Sequence, residues 1–234
     1  MNKEEFIYEC KKINIIIDDK IIDKLEKYIK LLIIWNEKFN LTTIIEEKDI
    51  FLKHFYDSLC LAKAVDLNDK KICDFGTGAG FPGMVIAIVF NNSNITLIES
   101  NSKKVMFLNE VKKELKLKNV EIVNDRTENY ARKNREIYDI VTCRAVSALS
   151  IILELSVAIL KVNGLFVPLK ANVEEELLKS KEIINRLNYK LEEKKEYSLP
   201  YENAKRTILV FRKKRETDIK YPREYNIIKK ESMR

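Results

Sequence analysis

The sequence predicts an α/β fold, in which a mostly parallel seven-stranded sheet follows an N-terminal helical region. Residues 1 to about 66 contain neither glycine nor proline, and their apolar residues recur at helical spacing. From about residue 70 onwards, strand-like segments alternate with helical ones, which is typical of a parallel sheet. Two consecutive strand-like segments within 189–212 are expected to close the sheet as a hairpin.

The apolar residues of the helical region predict one long amphipathic helix that runs towards Trp35. Its expected inner face consists of Ile21, Ile22, Leu25, Tyr28, Ile29, Leu32 and Ile33. The single histidine of the chain, His54, follows in a second segment. A lone histidine is more often a structural hydrogen-bonding residue than a catalytic one, so we expect a structural role for His54.

The later segments can be assigned in chain order. The expected strands are 71–75, 94–98, 120–123, 138–142, 165–170, 189–197 and 206–212. The expected helices are 84–90, 103–117, one that ends at Leu160, and a polar one at 173–187. Ser147 or Ser150 could cap the helix that ends at Leu160. Pro168 should lie near the end of its strand, because proline has no N–H for an interior ladder.

Composition describes a globular protein of 234 residues with one substantial core, 46% hydrophobic and 34% charged. No apolar run approaches the roughly 18 residues that span a membrane, and Met1–Glu5 has no signal-peptide character. Four scattered cysteines form no C-x-x-C pair, which predicts neither a metal site nor a disulfide framework. We therefore expect a cytoplasmic protein without membrane or metal partners.

The net charge of +7 is unevenly distributed along the chain. Residues 203–234 contain eleven Lys or Arg and four Asp or Glu, so residues 1–202 sum to zero. A basic end indicates either a polyanionic partner, contacted through Arg212, Lys213, Lys214 and Arg215, or merely a solvated tail. We divide the chain into a helical region (1–66), a ligand-binding domain (67–212) and a basic tail (213–234).

The most informative stretch is Asp74–Gly83, with the sequence D-F-G-T-G-A-G-F-P-G between a predicted strand and a predicted helix. It contains four of the five glycines of the chain. Glycine adopts positive φ and lets a ligand approach the backbone, and Pro82 suits the first turn of a helix. A strand, a glycine turn and a helix N-terminus together predict a site for a nucleotide-like ligand.

The glycine spacing indicates which ligand this is. A dinucleotide-binding G-x-G-x-x-G motif is excluded because its last position is Phe81, and no Gly-Lys-Ser/Thr follows as in a P-loop. The stretch has the form D-x-G-x-G-x-G of methyltransferases that use S-adenosylmethionine, which predicts Gly76 and Gly78 at the cofactor. Glu99 ends the next strand, where a carboxylate accepts hydrogen bonds from ribose hydroxyls. An ordinary tight turn is the alternative, and the register of Asp74 with Glu99 argues against it.

Further polar residues follow the predicted strands. Open parallel sheets bind ligands at the carboxyl ends of their strands. The residues at those ends are Asp74, Gly76, Glu99, Asp125–Glu128, Cys143, Arg144 and Lys170. Each alone could be an ordinary polar strand terminus, but their convergence on one edge predicts a site.

Four motifs occur in an order that resembles a known family. They are W-N-x-x-x-N-L-T (Trp35–Thr42), H-x-x-D-S-L (His54–Leu59), the glycine stretch, and Arg144 with Ala145. From about residue 25 to 212 the chain resembles the RsmG family, also called glucose-inhibited division protein B. The resemblance implies a Rossmann-like class I S-adenosylmethionine-dependent methyltransferase. It also implies methylation of guanine N7 in 16S ribosomal RNA, free or in a small-subunit assembly intermediate.

The resemblance implies roles for individual residues. Cofactor contacts fall on Gly76, Phe81, Thr127, Glu128 and Arg144, with Glu99 as the ribose acceptor. Positions on the RNA side fall on Lys103, Arg126, Arg144, Lys170 and Arg206. The chain departs from the family at Cys143, where serine is usual, at Ala171, where glycine is common, and in the segment after Arg223.

The implied reaction needs little from the protein beyond alignment. Guanine N7 has a lone pair and the methyl donor is already activated, so neither a covalent nucleophile nor a strong base is required. Alignment at near-attack distance can contribute roughly 7–11 kcal/mol. The catalytic residue is therefore left unassigned, with Arg144 as the best candidate for a positioning role.

Two alternatives compete with this interpretation. A cytosine-C5 RNA methyltransferase uses a covalent cysteine, for which Cys143 is a candidate. Such enzymes usually have Thr-Cys where Lys170 and Ala171 stand here. The other alternative is a non-catalytic RNA-binding protein that retains the fold, and the intact Asp74 and Glu99 argue against it.

Overall fold

The computed structural model describes residues 1–171 and 173–232; Met233 and Arg234, at the end of the expected tail, lie outside this part. Its centre is a seven-stranded sheet with the order β3-β2-β1-β4-β5-β7-β6. The strands are β1 (Lys71–Phe75), β2 (Asn94–Glu99), β3 (Val120–Asn124), β4 (Tyr138–Arg144), β5 (Leu160–Lys170), β6 (Tyr189–Ser198) and β7 (Lys205–Lys213). Strands β1 to β5 pair in parallel, and β7 is antiparallel to β5 and β6. The predicted parallel sheet and closing hairpin are confirmed.

Helices cover both faces of the sheet. They are α1 (Lys3–Lys12), α2 (Asp19–Phe39), α3 (Glu47–Asp49), α4 (Asp57–Leu59), α5 (Gly83–Val89), α6 (Ser102–Glu114), α7 (Thr127–Lys133), α8 (Leu149–Val157), α9 (Glu174–Lys179), α10 (Lys181–Arg186) and α11 (Tyr225–Ser232). A π-helix, Ile50–Tyr56, joins α3 to α4, and a 3₁₀ turn, Cys60–Lys63, follows α4. No helix in residues 1–171 and 173–232 combines the length and apolar character of a membrane span.

The N-terminal helices share one core with the first face of the sheet. The Asp18 carboxylate caps α2 by accepting the Ile21 N–H at 2.8 Å. Five residues of the expected inner face of α2 are buried: Ile22, Leu25, Tyr28, Ile29 and Leu32. They pack with apolar residues of α1, the π-helix, α5 and α6 in a single cluster. Ile33 is 37% exposed, because it points away from this cluster.

The connection between β4 and β5 differs from the sequence-based expectation. The helix expected to reach Leu160 ends at Val157, because Leu160 already pairs with Tyr138 of β4. Neither Ser147 nor Ser150 caps α8. Its first N–H, from Leu149, is bonded at 2.6 Å to the carboxylate of Glu176, so the capping group comes from another helix.

The segments that follow include one further difference, at 173–187, and one agreement, at Pro168. The single helix expected at 173–187 is two short helices that meet at Ser180, and the change of direction buries Ile183 while α9 stays at the surface. Pro168 lies two residues before the end of β5, which confirms the expectation that it lies near the end of its strand. The ladder between β5 and β7 skips Val167 and Pro168, as the missing proline N–H requires.

The C-terminal residues fold back onto the second face of the sheet. Tyr221 and Ile228 belong to the core cluster of that face. The Lys213 side chain is fully buried, and its ammonium donates to Glu136 Oε1 at 2.7 Å and to the carbonyl oxygens of Val157 and Leu160. The expectation that Lys213 contacts phosphate is therefore wrong.

Candidate active site

The glycine turn connects β1 to α5 in a conformation that favours glycine. Gly76 and Gly78 both have φ +63° and Gly80 has φ +98°, values that residues with a Cβ rarely adopt. The Gly76 N–H donates to the carbonyl of Ile98 in β2 at 2.8 Å. The turn is thus tied to the neighbouring strand, with its backbone at the carboxyl edge of the sheet.

Asp74 stands at the base of this turn and is completely buried. Its Oδ2 accepts the Thr77 hydroxyl at 2.6 Å and the Gly83 N–H at 2.8 Å. Its Oδ1 is buried with no hydrogen-bond partner among the described residues. Burial raises the pKa of Asp74 to about 7, against the opposing effect of the two hydrogen bonds.

Glu99 ends β2 and faces the same turn. Its Oε2 accepts the Gly78 N–H at 3.0 Å and its Oε1 accepts the Asn101 N–H at 2.8 Å. Each carboxylate oxygen has a further lone pair, so Glu99 retains the capacity to accept hydroxyl donors.

The three positive-φ glycines differ in the space around them. A Cβ atom at Gly78 would meet only Lys104 Nζ, at 3.9 Å, whereas one at Gly76 would lie 2.8 Å from Val146 Cγ2. One at Gly80 would collide with the Tyr28 hydroxyl, which donates to the Ala79 carbonyl. Tyr28 of α2 therefore fixes one side of the turn, and Gly78 presents open backbone.

The residues around the glycine turn suit S-adenosylmethionine. The unpartnered Asp74 Oδ1 can accept from a cationic amino group, Glu99 can accept from ribose hydroxyls, and the backbone at Gly78 is open to close approach. Thr127 and Glu128 are buried at the start of α7, after β3. No group of three metal-binding side chains occurs in the described ranges.

Arg144, at the end of β4, is held on several sides. Its guanidinium donates to the Lys53 carbonyl at 2.9 Å, to Asp57 Oδ2 at 3.1 Å and to His54 Nδ1 at 3.1 Å. The same group lies 5.4 Å from the centre of the Phe81 ring. Arg144 thus joins the glycine turn to the N-terminal helical segment.

His54 supports Arg144 in its neutral form. Because a guanidinium can only donate, His54 Nδ1 is the acceptor, and Nε2–H donates to Thr42 Oγ1 at 3.0 Å. The imidazole stacks on Phe81 with 4.2 Å between ring centres. Burial, together with the charge of Arg144, lowers the pKa of His54 to about 3. These contacts agree with the structural role expected for His54.

Asp57 lies one helical turn after His54 and accepts hydrogen bonds from three side chains. Its Oδ2 accepts from Arg144 and, at 3.4 Å, from Arg206 Nε at the start of β7. Its Oδ1 accepts the Tyr197 hydroxyl at 2.7 Å. With 3% of its side chain exposed, Asp57 is enclosed by these partners.

An open cleft of ≈ 550 Å³ lies in front of this cluster. Arg144, Lys170 and Arg206 form its basic wall, and Ile44, Ala145 and Leu169 contribute apolar surface. The Lys170 ammonium is paired with Glu176 and bonded to the Ser147 carbonyl at 3.0 Å. The cleft and the glycine turn lie at the same sheet edge, which β1 and β4 form side by side.

Two of the expected RNA-side residues do not line this cleft. Lys103, on the first turn of α6, lies over the Phe39 ring at 5.6 Å. Arg126 has 63% of its side chain exposed and contacts Glu128 at 3.4 Å and the Tyr225 ring. Both remain expectations for RNA contact outside the cleft.

The basic residues from Arg212 to Arg215 lie away from the cleft. Arg206 is next to Thr207, which pairs with Lys170 at the carboxyl end of β5, whereas Arg212 pairs with Leu165 in the middle of that strand. Arg212 is bonded to Glu192 at 2.7 Å. Lys214 and Arg215 follow it at the opposite edge of the sheet.

The sequence analysis assigned no role in the site to Asp57 or Tyr197, and it placed Tyr28 only on the inner face of the long helix. The signal for Asp57 was present in the H-x-x-D spacing, which places it on the same helical face as His54. The partners of Tyr28 and Tyr197 come from distant parts of the chain and leave no local pattern. Cys143 is 1% exposed, and burial raises the pKa of its thiol well above the ordinary value.

Comparison with known proteins gives a consistent result along the chain. The family model described as rRNA small subunit methyltransferase G matches residues 21–209. The ribosomal RNA small subunit methyltransferase G of Bacillus subtilis is 43% identical over 228 residues, covering 96% of this chain and 95% of that protein. The protein of the same name from Fusobacterium nucleatum is 43% identical over 225 residues, covering 96% and 97%.

Solved structures with low sequence identity share the fold. M. jannaschii TYW2 in complex with AdoMet has a TM-score of 0.56 at 18% identity, over 73% of this chain and 77% of that one. A SAM-dependent methyltransferase from Aquifex aeolicus has a TM-score of 0.56 at 15% identity, over 74% and 97%. The Rossmann-like class I methyltransferase fold is confirmed. By its family match and its relatives, the chain belongs to the rRNA small subunit methyltransferase G family.

Proposed function

We propose that this protein transfers a methyl group from S-adenosylmethionine to N7 of a guanine in 16S ribosomal RNA. The observation that carries the proposal is the adjacency of two features at one sheet edge. One is an open glycine turn flanked by Asp74 and Glu99, and the other is a cleft with a basic wall. Membership of the family supports the same assignment.

The cofactor would be held by residues of the first three strand ends. We propose that the ligand approaches closely to the turn backbone at Gly76 and Gly78. The buried Phe81 belongs to the same site. Glu99 would accept the ribose hydroxyls, and Thr127 and Glu128 would border the base. When bound, S-adenosylmethionine supplies the activated methyl group.

The protein contributes orientation more than acid–base chemistry. The N7 lone pair of guanine is available without deprotonation, so no general base is needed. His54 has a pKa of about 3 and both of its ring nitrogens are engaged, which suits a support for Arg144. Arg144 would hold the substrate in line at the cleft, where alignment supplies much of the rate.

The basic wall of the cleft suits an RNA backbone. Lys170 and Arg206 would contact phosphate together with Arg144 at the cleft, while Lys103 and Arg126 would bind RNA outside it. Phosphate contacts give affinity without sequence information. Guanine N7 faces the deep major groove of A-form RNA, so the target should be unpaired, in free 16S RNA or in a small-subunit assembly intermediate. We accordingly expect the protein to act in the cytoplasm.

The alternatives have less support. A cytosine-C5 mechanism needs a reactive thiolate, whereas Cys143 is enclosed in the core and its raised pKa keeps it protonated. A non-catalytic RNA-binding role would not require the open backbone at Gly78 or the buried, unpartnered Asp74 Oδ1.

The test is methylation of 16S RNA purified from a strain that lacks the gene. Purified protein and labelled cofactor should label this RNA, and nuclease digestion should yield N7-methylguanosine at one position. RNA from the parent strain is the matched control and should take up little label. Labelled 5-methylcytosine, or a denaturation-stable adduct of protein and RNA, would support the cytosine mechanism instead. Absence of label despite tight RNA binding would support the non-catalytic role.

A further inference from the structure

Two arginines at the cleft are held by one carboxylate from outside the methyltransferase sheet. Arg144 lies at the end of β4 and Arg206 at the start of β7, and both donate to Oδ2 of Asp57. Asp57 belongs to the N-terminal helical segment, 87 positions from Arg144 and 149 from Arg206. The carboxylate therefore bridges three separate parts of the chain.

Asp57 is placed to act through these arginines rather than on a substrate. Its side chain is 3% exposed, against 16% for Arg144 and 25% for Arg206. Both of its oxygens are engaged, because the Tyr197 hydroxyl occupies Oδ1. Asp57 also borders the cleft, but its enclosed carboxylate leaves the two arginines as the more exposed charged groups there.

The two arginines depend on Asp57 to different degrees. Arg144 has other partners, which are the Lys53 carbonyl, His54 Nδ1 and the face of Phe81. Arg206 has only Asp57 and the carbonyl of its neighbour Lys205 as partners in the described structure. Removing the Asp57 charge should therefore release Arg206 more than Arg144.

The charge of the cluster also matches one phosphate. Two guanidinium groups and one carboxylate leave a single net positive charge, and His54 is neutral. The two other cations that line the cleft are paired elsewhere, Lys170 with Glu176, and Lys53 with Asp49 and Glu202. Without Asp57, two like charges would face each other across a short distance, and the side chains would move apart.

We propose that Asp57 is a positioning residue that holds Arg144 and Arg206 side by side to receive one phosphate of the RNA next to the target guanine. The proposal rests on the proposed function, since it assigns the RNA backbone to this cleft. Asp57 touches neither the RNA nor the cofactor. Its effect on methylation passes through the geometry of the arginine pair, and mainly through Arg206.

The test is a double-mutant cycle with Asp57→Asn and Arg206→Ala. Single-turnover methylation of undermodified 16S RNA is measured at saturating RNA and cofactor, below the melting temperature of every variant. Asp57→Asn should lower the rate about tenfold or more, because a displacement of about 1 Å near the reacting groups has effects of this size. In the Arg206→Ala background, the same substitution should lower the rate less than about twofold.

A second readout does not depend on methylation. Affinity for the same RNA, without cofactor, should fall about threefold to tenfold in Asp57→Asn. When Asp57→Asn is introduced into the Arg206→Ala variant, the affinity should fall only slightly further. Cofactor affinity, measured by calorimetry, should stay within about twofold of wild type, because Asp57 does not contact the glycine turn. Tyr197→Phe, which removes only the hydroxyl donor on Oδ1, should have a smaller effect on both readouts.

The outcomes separate the two proposals. Wild-type protein that binds RNA but yields no N7-methylguanosine would contradict the proposed function, while the RNA-affinity cycle would still test Asp57. An active wild type with an equally active Asp57→Asn variant would overturn the positioning role. The positioning role would also be overturned if the rate loss of the double mutant equalled the product of the two single losses. That result would show that Asp57 acts independently of Arg206.

Discussion

Two buried carboxylates hold arginine side chains on opposite faces of the sheet. On the first face, Asp57 holds Arg144 and Arg206 at the open cleft. On the second face, Glu154 of α8 is fully buried and holds Arg223 through a bond of 2.6 Å. Arg223 also contacts Glu231 of α11, so this cluster fastens the C-terminal segment to the domain.

The comparison shows that the same ion-pair chemistry serves two purposes. The Asp57 cluster has two cations for one carboxylate, and its positive excess faces the cleft. In the Glu154 cluster, Arg223 meets Glu154 and Glu231, and Glu231 also pairs with Arg186, so two cations balance two carboxylates beside a cavity of ≈ 600 Å³. The first arrangement has a positive charge left to receive an anion such as phosphate, whereas in the second the charges are balanced and the pairs hold the C-terminal segment in place.

The largest expected contrast is between Arg144→Ala and Arg223→Ala. Arg144→Ala should lower the methylation rate about 100-fold or more, because a preorganised cationic group at the reacting site is lost. Arg223→Ala should leave the rate of folded protein near wild type but lower the free energy of unfolding by about 3 kcal/mol, since Glu154 stays buried without its partner. Single-turnover kinetics and urea titration measure the two quantities. Equal rate losses in both variants would remove the distinction between the clusters.

Tyr28→Phe tests whether the N-terminal helices also set the geometry of the glycine turn. The substitution leaves the Ala79 carbonyl without its buried donor, at a cost of about 1–3 kcal/mol. Because the turn forms the cofactor site, S-adenosylmethionine should bind about threefold to tenfold more weakly, with RNA affinity unchanged. Calorimetry measures the affinity for the cofactor. Tyr130→Phe, which removes the hydrogen bond between the Tyr130 and Tyr138 hydroxyls on the other face of the sheet, is the matched control. An equal loss of cofactor affinity in the control would contradict a specific role for Tyr28.

Asp74 is a third buried carboxylate, and it has no arginine partner. Its pKa of about 7 lies above the ordinary value, so between about pH 4 and pH 7 the folded protein retains a proton that the unfolded chain has lost. The free energy of unfolding of cofactor-free protein should therefore decrease as pH rises through this window. Thermal unfolding at several pH values measures the slope, and Asp74→Asn should make it smaller. A slope that is the same in the variant would mean that Asp74 is not the group responsible.

The smallest effect is expected at the opposite edge of the sheet. Lys214→Gln with Arg215→Gln removes two charges beyond the far end of β7, away from the cleft. The slope of log affinity for single-stranded RNA against log salt should remain close to wild type. If both residues contacted phosphate, the slope would flatten by about 1.4, at about 0.7 for each contact. A flattening of that size would extend the RNA surface to the tail.

The sequence-based predictions succeeded where structure depends on neighbouring residues. The glycine turn, the strands around it and Glu99 follow from local spacing, and the observed turn has the predicted positive φ values. The capping of α8 by Glu176 could not be predicted, because the carboxylate comes from a helix 27 positions away. The break at Ser180 is marked by neither glycine nor proline, so the helical pattern appeared continuous.

The basic residues illustrate the same limit. Composition located the positive charge but could not separate Arg206, which lines the cleft, from Lys213, which is buried under the sheet. Lys213 lies seven positions after Arg206, a distance of about 23 Å along a strand, so the two residues lie at opposite edges of the sheet. Only the antiparallel direction of β7 determines which of them reaches the cleft.

The most direct measurement compares Asp57→Asn with Glu154→Gln in one experiment. Both substitutions neutralise a buried carboxylate that holds arginine, and both should lower the melting temperature. The single-turnover rate of methylation at saturating RNA and cofactor, measured below both melting temperatures, should fall about tenfold in Asp57→Asn and less than about twofold in Glu154→Gln. Equal rates in the two variants would contradict the claim that the Asp57 cluster orders the active cleft while the Glu154 cluster only stabilises the fold.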